Sequence, residues 1–285
     1  LSFSILWFFI TLLPFSNIIP IQTLMADRYL YLPSLISAVL IPLCIMKIFA
    51  RKRMAAVTLL MVLIAVFAGF TIKGNTEWKD ELTLWQIAAE RSPNTSAVFS
   101  NLGHAYEQEG DYAKAQESFE KAIALDPENP KAHYNLATIF INAGMYDRAL
   151  KQLMTASNLK PDYYQAYDLM GLTYYYLALE NQNASSTLLA NARTSLERSI
   201  ELNPEFSKAY NDRGVVYGEM GRFNDSIANF KKAISLDSMN DEAYFNLGIV
   251  YEFLGESALA KENFVKASQL KPENNSYARK ASMQG

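Results

Sequence analysis

Five times between Phe99 and Pro272 the chain repeats one spaced set of small and large residues. The first set is Phe99, Leu102, Gly103, Tyr106, Ala115, Phe119, Ala122 and Pro127. It returns as His133, Leu136, Ala137, Phe140, Ala149, Leu153, Ala156 and Pro161, with 34 positions between the two prolines. The third set is Tyr167, Met170, Gly171, Tyr174, Ala192, Leu196, Ser199 and Pro204, its halves pushed apart by an insertion around residues 179–187. The fourth carries Tyr210, Gly214, Tyr217, Ser226, Phe230 and Ala233, with Ser238 in place of proline. The fifth carries Tyr244, Leu247, Gly248, Tyr251, Ala260, Phe264, Ala267 and Pro272. Each set reads as two antiparallel helices. Small residues stand where the pair approaches closely, large ones fill the space beside them, and proline ends the second helix because it cannot donate the next helical hydrogen bond. One pair cannot bury its own apolar face, but stacked neighbours can, so the pattern requires a superhelical solenoid with a concave groove.

Period and anchor order are similar to those of the tetratricopeptide repeat (TPR). Residues 96–274 divide into five such units. Upstream, Glu81, Trp85, Ala88 and Pro93 repeat the phase of a second helix, so residues 74–95 read as a linker and a degenerate half-repeat. Residues 275–285 read as a short closing helix and tail.

The first quarter of the chain has a different composition. Residues 1–72 hold six charged side chains, against 55 Lys, Arg, Asp and Glu in the whole sequence. Apolar runs at about 1–13, 32–50 and 54–72 read as membrane spans, the latter two near the ~20 residues a crossing helix needs. The first run is short because the sequence opens inside it, with Leu1 and no basic region or small-residue cleavage site. The expectation is therefore the C-terminal part of a longer polytopic chain. Arg51, Lys52 and Arg53 between the second and third runs place that turn on the cytoplasmic side. The loop before the second run, and everything after Ile72, then lies outside. The fold class expected is all-α: a membrane region, residues 1–73, followed by a TPR α-solenoid.

Net charge is −3, with Lys and Arg interspersed among acids, which argues against a nucleic-acid partner. The single cysteine, Cys44, excludes an internal disulfide and a cysteine-based metal site. No catalytic set and no metal site is evident in the repeats. His133 occupies a core anchor phase. His104 occupies a groove phase, either as a ligand contact or as a solvated side chain. The other groove phases carry Tyr134, Ile141, Tyr175, Tyr176, Phe245, Ile249 and Phe253, with Lys131, Lys208, Glu219 and Glu252 among them. Aromatics mixed with polar groups suit an extended peptide or a partner helix, although several could instead pack on the insertion or the next repeat. Asn101, Asn135 and Asn246 recur before the Leu–small pair and resemble the asparagine ladder of O-linked N-acetylglucosamine transferase, with Leu169 and Asp212 breaking it. N-x-S/T triplets start at Asn94, Asn183, Asn224 and Asn274; on an outer-face domain of a eukaryote they could be glycosylated, although a chain rich in Asn yields such matches by chance.

The loop between the first two apolar runs contains Leu13-Pro14, Ser16-Asn17, and Ala26-Asp27-Arg28 leading to Leu30-Tyr31-Leu32-Pro33-Ser34. Together with a membrane pair and a TPR array, it resembles the transmembrane-and-TPR family of protein O-mannosyltransferases and their bacterial relatives. Asp27 stands where animal members usually carry Glu. The resemblance implies a membrane glycosyltransferase that moves a sugar from a polyprenyl-phosphate donor to a Ser or Thr hydroxyl outside the cytoplasm. Its acidic base would lie in a first outer loop that this chain does not include. On chemical grounds Arg28 suits a lipid phosphate, because its guanidinium is a permanently charged fork of donors. Asp27 could pair with it or orient an acceptor, or the two could simply fix the loop. No cofactor is expected in this chain itself, and the expected partners are a protein or peptide in the groove and membrane lipid. The TPR domain is expected on the non-cytoplasmic face: periplasmic or extracellular in a bacterium, in the ER lumen of a eukaryote. The competing reading is a non-enzymatic, membrane-anchored TPR scaffold.

Overall fold

The computed structural model describes residues 80–283, together with Lys47, Met54, Ala55, Val57, Thr58, Met61, Val62 and Ala65, all eight helical. Apart from those eight positions, the three apolar runs lie outside the described residues, as do Asp27 and Arg28. Among the described residues no helix is long and apolar enough to cross a membrane. The chain divides into two compact units at Lys79/Asp80.

The second compact unit is entirely helical among its described residues. In chain order its helices are α1 (Glu81–Arg91), α2 (Ser96–Gln108), α3 (Tyr112–Leu125), α4 (Pro130–Asn142), α5 (Tyr146–Leu159), α6 (Tyr164–Glu180), α7 (Ser185–Leu202), α8 (Ser207–Glu219), α9 (Phe223–Leu236), α10 (Asp241–Phe253), α11 (Ser257–Leu270) and α12 (Asn275–Met283). Helices α2 to α11 form five antiparallel pairs, and each pair packs on the next. First helices of neighbouring repeats (α4 on α6, α6 on α8, α8 on α10) touch one another more closely than second helices do, so the stack curves toward them.

The reason for the small anchor residues is visible at each crossing. A Cβ built on Gly103, Gly214 or Gly248 would fall 2.6, 2.6 or 2.7 Å from the ring of Phe119, Phe230 or Phe264. In the second repeat Ala137 takes the glycine's place, and the residue opposite shrinks to Leu153; both are fully buried. Serines at alanine phases are satisfied locally: Ser226 Oγ donates to the Gly214 carbonyl (2.7 Å) and Ser199 Oγ to that of Tyr164 (2.9 Å). Each hydroxyl thus ties a second helix to its own first helix, which removes the cost of burying it.

Four of the five pairs turn the same way. Gly110, Gly144, Gly221 and Gly255 have φ between 71° and 78°. The next residue's N–H then reaches back to a carbonyl of the last turn, as Asp111 does to Tyr106 (2.9 Å) and Arg222 to Tyr217 (2.8 Å). This left-handed stop is one that glycine adopts at little cost. The third repeat has Ala178 at that phase. Its first helix does not stop there: α6 runs to 17 residues where the other first helices have 13. A 3-10 turn at Gln182–Ala184 follows, and α7 reaches 18 residues against 14 elsewhere. The inserted residues thus lengthen both helices by about one turn each.

The ends are closed by shorter elements. Asp80 caps α1 by accepting from Thr83 N–H at 2.7 Å. Leu82, Trp85 and Ala89 of α1 pack on Phe99, Leu102, Ala122 and Ala132. At the other end Tyr277 of α12 is 6% exposed and stacks on Phe245 with ring centres 4.5 Å apart.

Candidate functional site

The curvature places one side of α2, α4, α6, α8 and α10 on the concave surface. In its first half, His104 Nε2 and Asn135 Nδ2 lie 3.1 Å apart across the α2–α4 seam. His104 Nδ1 is 3.3 Å from Glu107, and the imidazole stands edge-on to Phe119. Asn101 is half-buried beside them. His133, by contrast, is a core side chain: 7% exposed, its ring nitrogens on Gln152 Oε1 and the Pro127 carbonyl at 2.6 and 3.0 Å. Tyr134 is half-buried against Tyr163, centroids 5.3 Å apart, and burial raises both phenols, Tyr163 to about 12.

In the second half the floor is ionic. Lys208 Nζ of α8 donates to Asp168 Oδ2 of α6 and to Asp212 Oδ2 of its own helix, both at 2.7 Å. Asp168 is 3% exposed and its second oxygen has no hydrogen-bond partner. Burial, then the charge of Asp212, push its carboxyl up to about 7 against the pull of Lys208. Burial works against the Lys208 ammonium, but the charges of Asp212 and Asp168 and the hydrogen bonds to both outweigh it and raise its pKa. From Asp212 a side-chain chain continues: Asn211 Nδ2 donates to Asp212 Oδ1 (3.0 Å), and Asn246 Nδ2 donates to Asn211 Oδ1 (3.0 Å). The chain links α6, α8 and α10 across the floor. With both carboxylates ionised, the Asp168–Lys208–Asp212 group carries one net negative charge.

At the Asn246 end of this chain lies a cavity of about 510 Å³, whose wall includes Tyr175, Val215, Glu219, Phe223, Ile249 and Phe253. Asn246 reaches into the same wall. Phe253 is 72% exposed although its ring meets Phe223 with centroids 4.8 Å apart. Tyr176 stacks on Tyr146 at 5.4 Å and touches Tyr175 at 5.7 Å. Burial first, and then Glu219, raise the Tyr175 phenol; burial and then Asp212 raise that of Tyr176. Phe245 is set apart from the cavity, held between Phe264 and Tyr277.

The structure therefore brings Tyr175, Asn246 and Phe253 to one cavity and His104 and Asn135 to a second contact, with Tyr134 under the groove and Phe245 under α12. Sequence reasoning missed Asp168 and the role of Phe223. Asp168 occupies the phase of Tyr134 and Phe245, where an acid is out of place, and Lys208 lies at a groove phase one repeat on. That pair was the available signal. Among the described residues no cluster of His, Cys, Asp and Glu could hold a metal ion.

Comparisons with known proteins agree with this geometry. Tetratricopeptide-repeat family profiles match residues 106–171, 195–228, 219–255 and 241–274. The protein O-mannosyl-transferase TMTC3 of Mus musculus is 30% identical over 234 residues, covering 79% of this chain and 25% of that protein. A UDP-N-acetylglucosamine–peptide N-acetylglucosaminyltransferase of Giardia intestinalis is 30% identical over 151 residues, 52% of this chain and 10% of that protein. The chain thus spans about a quarter of the length of the mouse relative. Among solved structures, the thermophilic TPR protein TTC0263 of Thermus thermophilus superposes with a TM-score of 0.60 at 23% identity, over 67% of this chain and 98% of that one. A chain of the APC/C hetero-tetramer Cut9–Hcn1 does so with 0.62 at 20%, over 72% and 39%. The described solenoid is a tetratricopeptide-repeat array, the architecture of a protein-interaction scaffold.

Proposed function

We propose that this chain is part of a membrane-bound glycosyltransferase of the protein O-mannosyltransferase kind, and that its TPR groove holds the protein acceptor or a partner that delivers it. The observation that carries the reading is the groove's second half: a cavity walled by Tyr175, Glu219, Asn246, Ile249 and Phe253, which Asn246 joins through Asn211 to the Asp168–Lys208–Asp212 cluster. It offers apolar burial and hydrogen-bonding groups side by side, which an extended segment of another protein can use. The reading of the catalytic part is supported by the Asp27-Arg28 loop and by the similarity to TMTC3. In that reading Arg28 meets the phosphate of a polyprenyl-linked sugar, Asp27 pairs with it or orients the hydroxyl, and the solenoid lies outside the cytoplasm.

The test is sugar transfer by the intact protein from polyprenyl-phosphate mannose to an acceptor protein. Arg28→Ala is expected to cut transfer strongly with membrane insertion unchanged, whereas Phe253→Ser is expected to raise the KM for the acceptor and leave that for the donor alone. Full transfer by Arg28→Ala contradicts the phosphate role. Absence of donor turnover in the intact wild-type protein favours the non-enzymatic scaffold. Protease protection in sealed vesicles checks the topology: a cytoplasmic solenoid contradicts it.

A further inference from the structure

The groove is not chemically uniform, and its second half selects a particular kind of segment. Three features coincide there. The cavity wall is apolar and partly uncovered, with Phe253 72% and Ile249 37% exposed. Gly218 lies at the phase that holds Tyr175 one repeat earlier, and the missing side chain leaves the cavity open between α6 and α10. The surrounding charge is negative. Glu219 is part of the wall, is exposed, and has no ion-pair partner among the described residues. The raised phenols of Tyr175 and Tyr176 report the same field, each after the larger effect of burial. The first half differs, since Lys131 is exposed there and Glu107 is engaged with His104.

Resting on the groove reading above, we infer that the cavity lined by α6, α8, α9 and α10 receives an extended segment of a protein partner that carries an aromatic or long aliphatic side chain beside a lysine or arginine. The apolar side chain seats between Phe223, Ile249 and Phe253. The basic residue faces Glu219 at the wall. An acidic segment is rejected, because its carboxylate would lie in a negative field without a counter-charge. Solvent-exposed pairs at such a rim add selectivity more than affinity, so the aromatic anchor supplies most of the binding and the base supplies the choice.

The test uses the full 285-residue chain and three fluorescein-labelled decapeptides in a Gly-Ser background, with a central Phe-Lys, Phe-Glu or Ser-Lys pair, read by fluorescence anisotropy. The Phe-Lys peptide is expected to bind at least tenfold more tightly than either of the others. Raising the salt should narrow the gap between Phe-Lys and Phe-Glu. Glu219→Lys is expected to invert the Lys/Glu preference, and Phe253→Ser to weaken Phe-Lys binding at least fivefold. Both side chains are exposed, so circular dichroism should show the fold unchanged. Equal binding of Phe-Lys and Phe-Glu, or a preference indifferent to Glu219→Lys, overturns the inference. So does the absence of binding by all three peptides. Self-association of the chain that Glu219→Lys abolishes identifies a second copy as the occupant, and also overturns it. The groove reading itself falls only if acceptor transfer by the intact protein ignores Phe253→Ser and substitutions at Tyr134 and Asn135 alike.

Discussion

Replacing glycine by alanine inside a helix ordinarily stabilises a protein, because the unfolded chain loses freedom and the helix gains a better former, by about 0.5–1 kcal/mol. Gly214 should do the opposite. An alanine Cβ there would lie 2.6 Å from Phe230 Cε1, 2.8 Å from Cδ1 and 3.0 Å from Cζ. The ring has little room to retreat, since Phe230 is 1% exposed and packed against Leu247, Val250 and Tyr251. Forcing one extra carbon into such a core costs about 1–3 kcal/mol, and with three ring atoms inside contact distance the upper part of that range applies. After subtracting the helix gain, Gly214→Ala should lose roughly 1–2 kcal/mol, or about 2–8 °C in the thermal midpoint of a unit this size. Gly218, one turn later in the same helix, provides the control. Its nearest neighbour would be Ser226 Oγ at 3.4 Å, an ordinary contact. Gly218→Ala should therefore stabilise by about 0.5 kcal/mol. Pairing Gly214→Ala with Phe230→Leu copies the Ala137–Leu153 crossing of the second repeat and should recover much of the loss. The assay is thermal and urea unfolding of the full chain followed by far-UV circular dichroism. Opposite signs for the two alanines support the crossing argument; a stabilising Gly214→Ala refutes it.

Three further outcomes follow from other parts of the solenoid. The folded Asp168 carboxyl keeps its proton up to about pH 7, whereas an unfolded one releases it near 3.8, so its contribution to stability is fully present below about pH 4 and is lost as pH rises through 7. The difference in urea midpoint between wild type and Asp168→Asn should therefore shift in favour of the variant between pH 4 and 7 and level off above. Gly144→Ala meets nothing within 4 Å but must hold φ +71°, and should cost about 1 kcal/mol from backbone conformation alone, measured by the same unfolding assay. Tyr277→Ala removes the ring stacked on Phe245 and should cost about 2–4 kcal/mol. Because repeat stability is local, hydrogen exchange should show the loss in α10–α12 and not in α2–α5.

Much of the solenoid was legible because its anchors are steric necessities. Gly103, Gly248 and their opposing phenylalanines leave one workable crossing, and a 34-residue period states it repeatedly. The inserted residues were visible as an interruption, but not their form. Ala178 in place of a left-handed glycine is what lets α6 run on, a signal that only acquires meaning once the other turns are known. The groove was legible by phase but not by contact. Tyr134, Tyr175 and Phe245 share a groove-facing reading in sequence. In the fold one lies beneath the surface, one lines the cavity, and one is covered by α12, because neighbours from other repeats decide exposure. Asp168 was missed for the same reason: its meaning depends on Lys208, forty positions away. The fragments Leu13-Pro14 and Ala26-Asp27-Arg28 suggested a chemistry, and they lie outside the described residues.

The claim that the concave surface is the binding face is tested most directly by hydrogen–deuterium exchange of the full chain with and without saturating Phe-Lys peptide. Slower exchange is expected in α6, α8 and α10 and at the start of α9, centred on Tyr175, Glu219, Phe223 and Phe253, with α7 and α11 unchanged. Protection confined to the second helices, or spread evenly over all five repeats, would contradict it.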